Sequence, residues 1–306
     1  MISEVFYWIL NISILGSAVG LIVLLLRRVR VLPRFAVYLL WALPLIRFWM
    51  PIGPASKYSL LSFLSQYTTK TVVVWELAPH SQYFTATNFM QAAIQYSPIV
   101  YTTDLLQNIF NIGGMIWAIV AAGAILCSIL LYIFTKSALK GADHVKDNIY
   151  RSDKVLSPAV YGIFRPKIIL PVNIADTDPE YILNHEQVHI RRLDNLWRMI
   201  AVITACVHWF NPLVWVFLKA FMSDMELACD AGVLKKLDQD QHNAYASAIL
   251  SYSFSKSYIA SAFGGAKAKA RIENILSYKR LTLLSCICIG LLVTAVAITL
   301  LTNSAE

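Results

Sequence analysis

Apolar and polar positions alternate along this chain in blocks too long for the core of a soluble domain. Four apolar runs stand out, at about 6–26, 35–52, 112–134 and 281–301. Each is close to the ~20 residues a helix needs to cross roughly 30 Å of hydrocarbon, so they predict four membrane-spanning helices. Arg27, Arg28, Arg30 and Arg34 follow the first run at once. A cleaved secretory signal carries its basic residues in front of the apolar core, so the first run is read as a retained helix. The second run is the shortest and contains Arg47, which is expected to snorkel to the outer surface. A fifth run, 199–218, is free of Asp, Glu, Lys and Arg, but Asn211-Pro212 interrupts it. Proline removes a helical donor and pushes the preceding residue out of the helical region. That run therefore predicts two helices folded back on each other, buried in the following domain or dipping into the membrane surface.

Between the third and fourth spans lies a mixed segment, 135–280, long enough for one domain. Its early part, VLSPAVYGIFRPKIILP (155–171), is rich in β-branched and aromatic residues around Arg165-Pro166, the pattern of a hairpin or two short strands. Asp178-Pro179 reads as an N-cap and a proline at the first helical position, opening a helix through about Leu193. Further helices are expected from about Asn195, Pro212 and Gln241. The loop 53–111 holds one strand-like run, TVVVWEL at 71–77, and is expected to cap the spans.

Composition agrees with the pattern. Apolar residues make up 58% of the 306 and charged residues 14%, against roughly 45–50% and 25% in soluble domains, and mean hydropathy is +0.58. An ordinary cytosolic enzyme, a disordered tail and a secreted disulfide scaffold are excluded. The net charge of +8 does not point to nucleic acid, because its distribution follows topology. Residues 1–26 and 281–306 contain no Lys or Arg, the first connection four, the loop 53–111 two and residues 135–280 nineteen. The positive-inside bias then puts both termini outside and 135–280 in the cytosol. Were 199–218 to cross the membrane, the basic residues beyond it would be exported, against that bias. The five cysteines, Cys127, Cys206, Cys229, Cys286 and Cys288, form no CxxC pair and are read as small buried hydrophobes.

The candidate chemistry is His185-Glu186-Gln187-Val188-His189, an H-E-x-x-H inside the helix expected from Pro179. Positions i and i+4 share a helix face, so both imidazoles can reach one Zn²⁺ while Glu186 is aimed beside it as general base. Glu226 lies 37 residues beyond His189, four before Asp230, on the helix after the fold-back. A catalytic zinc takes three protein ligands and keeps a fourth position open. Glu226 would complete that set, and Asp230 could hold the distal nitrogen of a ligand histidine. His208, Tyr245 and Arg192 are the available donors for an oxyanion. Cys229 beside Asp230 keeps open a closed, structural zinc site.

NHEQVHIRRLDN (184–195), HWFNPLVW (208–215) and ELACD (226–230), with SPAVYGIFRPKIILP before them and RIENILSYKR after, resemble the BlaR/MecR antirepressor family of integral-membrane zinc peptidases. The resemblance implies a four-helix membrane protein with a cytosolic α+β, gluzincin-like peptidase domain (135–280) between helices three and four. It implies one Zn²⁺ per chain on His185, His189 and Glu226, with Glu186 as base. It also implies a bacterial cytoplasmic-membrane location, relief of a cytosolic transcriptional repressor in an antibiotic or cell-wall response, and self-cleavage around 264–280, where Gly264-Gly265 allows motion. The best-known members continue into an extracellular penicillin-binding domain, whereas this sequence stops at Glu306; Ser-x-x-Lys at Ser137–Lys140 and Ser253–Lys256 lacks companion motifs, so β-lactam acylation by these residues is not expected. Other readings are a membrane quality-control or processing peptidase and a non-proteolytic receptor or scaffold. A homodimer suits a membrane transducer, though nothing in the sequence demands one.

Overall fold

The computed structural model describes residues 2–29, 31–50, 53–59, 84–86, 99–101, 104–155, 157–172, 179–255, 261–278, 280 and 282–304. The expected strand at 71–77 and the expected N-cap Asp178 lie outside the described residues.

The first apolar run forms helix α1 (Ile2–Leu26), about 37 Å long at 1.5 Å per residue. One face carries the small residues Ser13, Gly16, Ser17 and Gly20, all buried, and small residues are what let membrane helices approach closely. A Cβ on Gly16 would stand 2.6 Å from the Phe48 ring, and one on Gly20 would stand 2.3 Å from the Phe217 ring.

The second run differs from expectation. It makes two short helices, α2 (Arg34–Leu40) and α3 (Ala42–Trp49), together about 24 Å. Pro44 is the physical cause of the break at Trp41: it has no N–H for the carbonyl four residues back, and the Trp41 N–H tightens onto Tyr38 O. Arg47 does not snorkel. It is 1% exposed, and its guanidinium donates to Asn303 Oδ1 at 2.6 Å and Leu301 O at 3.4 Å.

Short strand β1 (Ala55–Ser56) follows, then β2 (Phe84–Ala86) and β3 (Ile99–Tyr101), an antiparallel pair. Helix α4 (Asp104–Ala138) is longer than the run that predicted it. A small four-stranded sheet comes next: β4 (Asp143–Lys146), β5 (Ile149–Ser152), β6 (Ala159–Tyr161) and β7 (Lys167–Pro171), in spatial order β4-β5-β7-β6. The expected hairpin is the antiparallel β6–β7 pair, while β5 runs parallel to β7. Gly162 sits at φ +93° in the β6–β7 turn, where an added Cβ would also lie 2.9 Å from Arg165 O.

Helices α5 (Pro179–Arg191), α6 (Asp194–Val207) and α7 (Pro212–Leu234) carry the rest of the site region. The 199–218 run is indeed two helices joined by a turn. Asn211 caps α7, accepting from the Leu213 N–H at 3.0 Å, and Pro212 opens it. The turn sits against the middle of α1: Asn211 Nδ2 donates to Ser13 Oγ at 2.8 Å and Ser17 Oγ at 2.7 Å. Helix α8 (Gln241–Ser255) follows, then α9 (Ser261–Leu276), which takes in the Gly264-Gly265 pair expected to be a hinge. The alanine-rich sequence around that pair favours helix strongly enough to absorb it. Helix α10 (Leu283–Leu301) closes the chain, and β8 (Asn303–Ser304) pairs in parallel with β1.

Among the described residues three helices, α1, α4 and α10, are long and apolar enough to cross a membrane, and α4 and α10 are largely unburied. Cys127, Cys286 and Cys288 point outward from them, against the expectation of burial, whereas Cys206 and Cys229 are buried. The main apolar core joins α1, α2 and α3 to the hairpin of α6 and α7 through Val19, Trp41, Phe48, Ala205, Phe217 and Phe221. A second cluster backs α5 with Val188, Val233, Tyr245 and Ile275.

The tight approach at Gly20 is testable. Gly20→Ala is expected to destabilise the protein by about 1–3 kcal/mol, the usual range for overpacking, and so to lower its thermal midpoint in detergent. Gly123→Ala, where a Cβ would meet nothing within 4 Å, should leave the midpoint unchanged.

Candidate metal centre

His185 and His189 project from the same face of α5, as the i, i+4 spacing requires. Their Nε2 atoms lie 3.2 Å apart. Glu226, from α7, presents Oε2 to His185 Nε2 at 3.4 Å and Oε1 to His189 Nε2 at 3.7 Å. Ligand atoms each ~2.1 Å from a tetrahedral zinc are about 3.4 Å apart, so the three groups already have the spacing of three corners of such a site. Gly232 on α7 makes room for the approach of α5, since a Cβ there would be 3.0 Å from Val188.

The far nitrogen of each imidazole is held by a buried carboxylate. His189 Nδ1 is 2.6 Å from Asp194 Oδ2, and the other Asp194 oxygen accepts from the Tyr38 hydroxyl at 2.8 Å. His185 Nδ1 is 3.3 Å from Asp230 Oδ1 and 3.0 Å from the Tyr245 hydroxyl, which donates to the same Asp230 oxygen at 2.7 Å. Arg271, from α9, grips both Asp230 oxygens at 2.7 and 2.8 Å and approaches Glu226 Oε2 at 3.6 Å. A carboxylate behind an imidazole favours the tautomer that leaves Nε2 free for a metal. Asp194 is brought back to His189 by Leu193, which takes a left-handed conformation at φ 55° between α5 and α6.

Charge coupling follows from these contacts. Burial alone would raise the Glu226 carboxyl, but hydrogen bonds to His185 and His189 hold it well below its usual range. Asp230 is likewise lowered, because Arg271 outweighs the burial penalty. Burial works against a proton on His185 or His189, yet the neighbouring Cys229 sulfur and the hydrogen-bonded carboxylates raise both.

These residues floor a cleft of about 230 Å³, walled on one side by Ser157, Pro158, Ala159 and Val160 leading into the edge strand β6. Glu186 also lines it, 8% exposed. Burial raises the Tyr161 hydroxyl, and the Glu186 carboxylate adds to the shift. Asn195 Nδ2 donates to Val160 O and Gly162 O, both at 3.0 Å, tying β6 to α6.

The BlaR1 peptidase M56 family matches residues 7–276. The chain belongs to that family. The regulatory protein BlaR1 of Bacillus licheniformis is 34% identical over 135 residues, which is 43% of this chain and 22% of that protein. The methicillin resistance mecR1 protein of Staphylococcus aureus is 26% identical over 286 residues, covering 81% of this chain and 46% of its own length. The same name, identity and coverage recur in Staphylococcus epidermidis. The chain therefore spans less than half the length of these relatives.

Within this M56 domain, the three residues suggested as oxyanion donors are turned elsewhere. His208 is buried in the α6–α7 turn with Nε2 3.3 Å from Phe48 O. Tyr245 faces the far side of His185. Arg192 stacks on the Tyr38 ring, 4.1 Å from its centroid. The cations that do line the cleft are Arg198 and Arg271. Sequence reasoning missed Asp194, Tyr38 and Arg271. Asp194 could have been sought five residues past His189, within reach of its ring; Tyr38 and Arg271 are remote in sequence and gave no signal.

Cys229 also places its sulfur within 4.8 Å of donor atoms of both histidines, but its thiol donates to His185 O at 3.3 Å. Removing one donor at a time distinguishes the candidates. Glu226→Gln is expected to weaken Zn²⁺ binding by at least about 100-fold, beyond the loss typical of an outer-shell partner, and Cys229→Ala by less than about threefold. Chelator competition reads both, and the reverse order would assign the third donor to Cys229.

Proposed function

We propose that this chain is a membrane-embedded zinc endopeptidase that transduces a signal by relieving a cytosolic transcriptional repressor. The observation that carries the reading is the convergence of His185 Nε2, His189 Nε2 and the Glu226 carboxylate within 3.2–3.7 Å of one another at the floor of a cleft lined by Glu186. His185, His189 and Glu226 are the metal ligands, Asp230 and Asp194 hold the two imidazoles, and one Zn²⁺ is taken per chain. Bound zinc would supply Lewis acidity, acidifying water and polarising the scissile carbonyl. Glu186 takes the proton from the attacking water and returns it to the leaving amine. Arg271 holds Asp230 and adds positive charge at the cleft.

Substrate enters as an extended chain beside β6. Asn195 already donates to the Val160 and Gly162 carbonyls, which ties this edge to α6 beside the cleft. Self-cleavage on activation falls in the region 264–280. Because 261–276 is helical, a bond inside it is cut only after that turn of helix unwinds.

The proposed topology keeps four crossings, with α2 and α3 as the short second one, both termini outside and the peptidase domain in the cytosol of a bacterial cell. The basic residues favour it, and so does the seating of the 208–211 turn against mid-α1. The names of the relatives, a regulatory protein and a methicillin resistance protein, fit an antirepressor in a resistance response. A homodimer is compatible with this arrangement. The second reading, a structural zinc, is favoured by the nearness of Cys229 alone: with four protein donors the site would be closed.

Wild type and Glu186→Ala, purified side by side, are expected to hold about one zinc each, while only the wild type cleaves itself or a repressor encoded beside it. Zinc retained with neither protein cutting, activating partner included, would support the closed site. A folded wild type that takes up no zinc would sink the enzymatic reading.

A further inference from the structure

The membrane-layer helices reach into the metal centre through polar contacts that apolar packing does not require. On α2, the Tyr38 hydroxyl donates to Asp194 Oδ1 at 2.8 Å, and Asp194 Oδ2 meets His189 Nδ1 at 2.6 Å. The Tyr38 ring is already packed without its hydroxyl: it stacks on Phe221 at 5.7 Å between centroids and carries the Arg192 guanidinium on one face. Between α2 and α3, Trp41 Nε1 donates to Asp224 Oδ2 at 2.8 Å, and Arg27 grips the same carboxylate at 2.9 Å through each oxygen. Asp224 precedes Glu226 by two residues on α7. At the opposite end of the helix pair, Arg47 is clamped to Leu301, the last residue of α10, and to Asn303 just beyond it.

Asp194 Oδ1 has a second partner in Arg192. Arg192 is mostly buried, and its three guanidinium nitrogens make no hydrogen bond among the described residues, although Nε lies 3.4 Å from Asp194 Oδ1. That is the oxygen now bonded to Tyr38. A shift of α2 by about 1 Å would stretch a 2.8 Å hydrogen bond past its useful range. The carboxylate would then turn towards Arg192 and loosen its hold on His189.

We infer that Tyr38 is a positioning residue for the metal centre: through Asp194 it fixes the His189 ring, so the α2–α3 pair is the lever by which events on the outer side set the geometry of the site. This rests on the reading of the site as a zinc centre. Tyr38 and Arg192 share Asp194 Oδ1, at 2.8 and 3.4 Å, so the strength of the Tyr38 bond sets how far the carboxylate leans from Arg192 towards His189.

The test uses the full chain in lipid nanodiscs, wild type against Tyr38→Phe, with Trp49→Phe as a control on the same helix pair. Trp49 donates to Thr204 Oγ1 at 2.8 Å, near the far end of the helix pair from Tyr38. Zn²⁺ affinity is read by chelator competition, and ligand geometry by the visible absorption of the Co²⁺-loaded protein. Tyr38→Phe is expected to lose about 10-fold in Zn²⁺ affinity, within the range for partners behind a ligand. Its Co²⁺ bands should shift while its thermal midpoint stays within that of the control. Adding Arg192→Gln should recover much of the affinity, because the competing partner is gone. A Tyr38→Phe protein whose Zn²⁺ affinity and Co²⁺ spectrum match wild type overturns the lever and leaves the zinc centre standing. A folded wild type that binds neither metal overturns both. If Tyr38→Phe unfolds, Asp194→Glu keeps the charge, and an unchanged Co²⁺ spectrum there overturns the inference equally.

Discussion

The amide of Asn211, donating to Ser13 and Ser17 on α1, is the contact on which the rest of the arrangement turns. A chain that reverses direction among apolar helices exposes backbone groups with no water to satisfy them, and such a turn survives only where protein supplies the partners. Asn211 does this twice, bonding α1 with its side-chain nitrogen and capping α7 with its side-chain oxygen. The reversal returns α7 towards α5 and the domain. Had 199–218 continued across, Glu226 and His185 would lie on opposite sides of the bilayer. The small face of α1 follows from the same constraint, because Phe217 needs the space above Gly20.

Much of this was legible in the sequence, for identifiable reasons. Three of the four apolar runs reappear as helices long enough to cross a membrane, because hydrocarbon thickness imposes run length, and the fold-back was visible because Asn-Pro has a local meaning that survives any context. The H-E-x-x-H geometry was visible because helix periodicity alone puts His185 and His189 on one face. What escaped depended on distant packing. The break at Trp41 stems from one proline inside an apolar run, easily subsumed in its hydropathy. The strands β4 and β5 are four residues each, with an exposed edge and little alternation. Helix α9 was hidden by two glycines that local propensity discounts but the surrounding alanines outvote. Tyr38 and Arg271 lie over 80 residues from the motif they serve, and no spacing rule reaches that far.

Acidic side chains are scarce here, 18 in 306 residues, and among the described residues the fully buried ones are all spoken for. Asp194, Asp224 and Asp230 each have 0% exposure and each meets a cation or an imidazole. A buried carboxylate without such a partner is strongly destabilising. The same three aspartates join six helices, α2 and α5 to α9, and the imidazoles of His185 and His189 into one polar framework inside a largely apolar body. Stability and the geometry of the candidate metal centre therefore draw on the same buried carboxylates.

Leu193 shows how such a framework can be tuned. A leucine held in the left-handed region carries a strain of roughly 1–2 kcal/mol, and here that strain is stored at the corner joining the helix of His189 to the aspartate behind it. Glycine or asparagine would relieve the strain without removing a donor or an acceptor. It would also widen the range of angles the corner can sample. Position 193 thus offers evolution a dial between a stiffer, tenser catalytic frame and a calmer, looser one, with no change in the chemistry it presents.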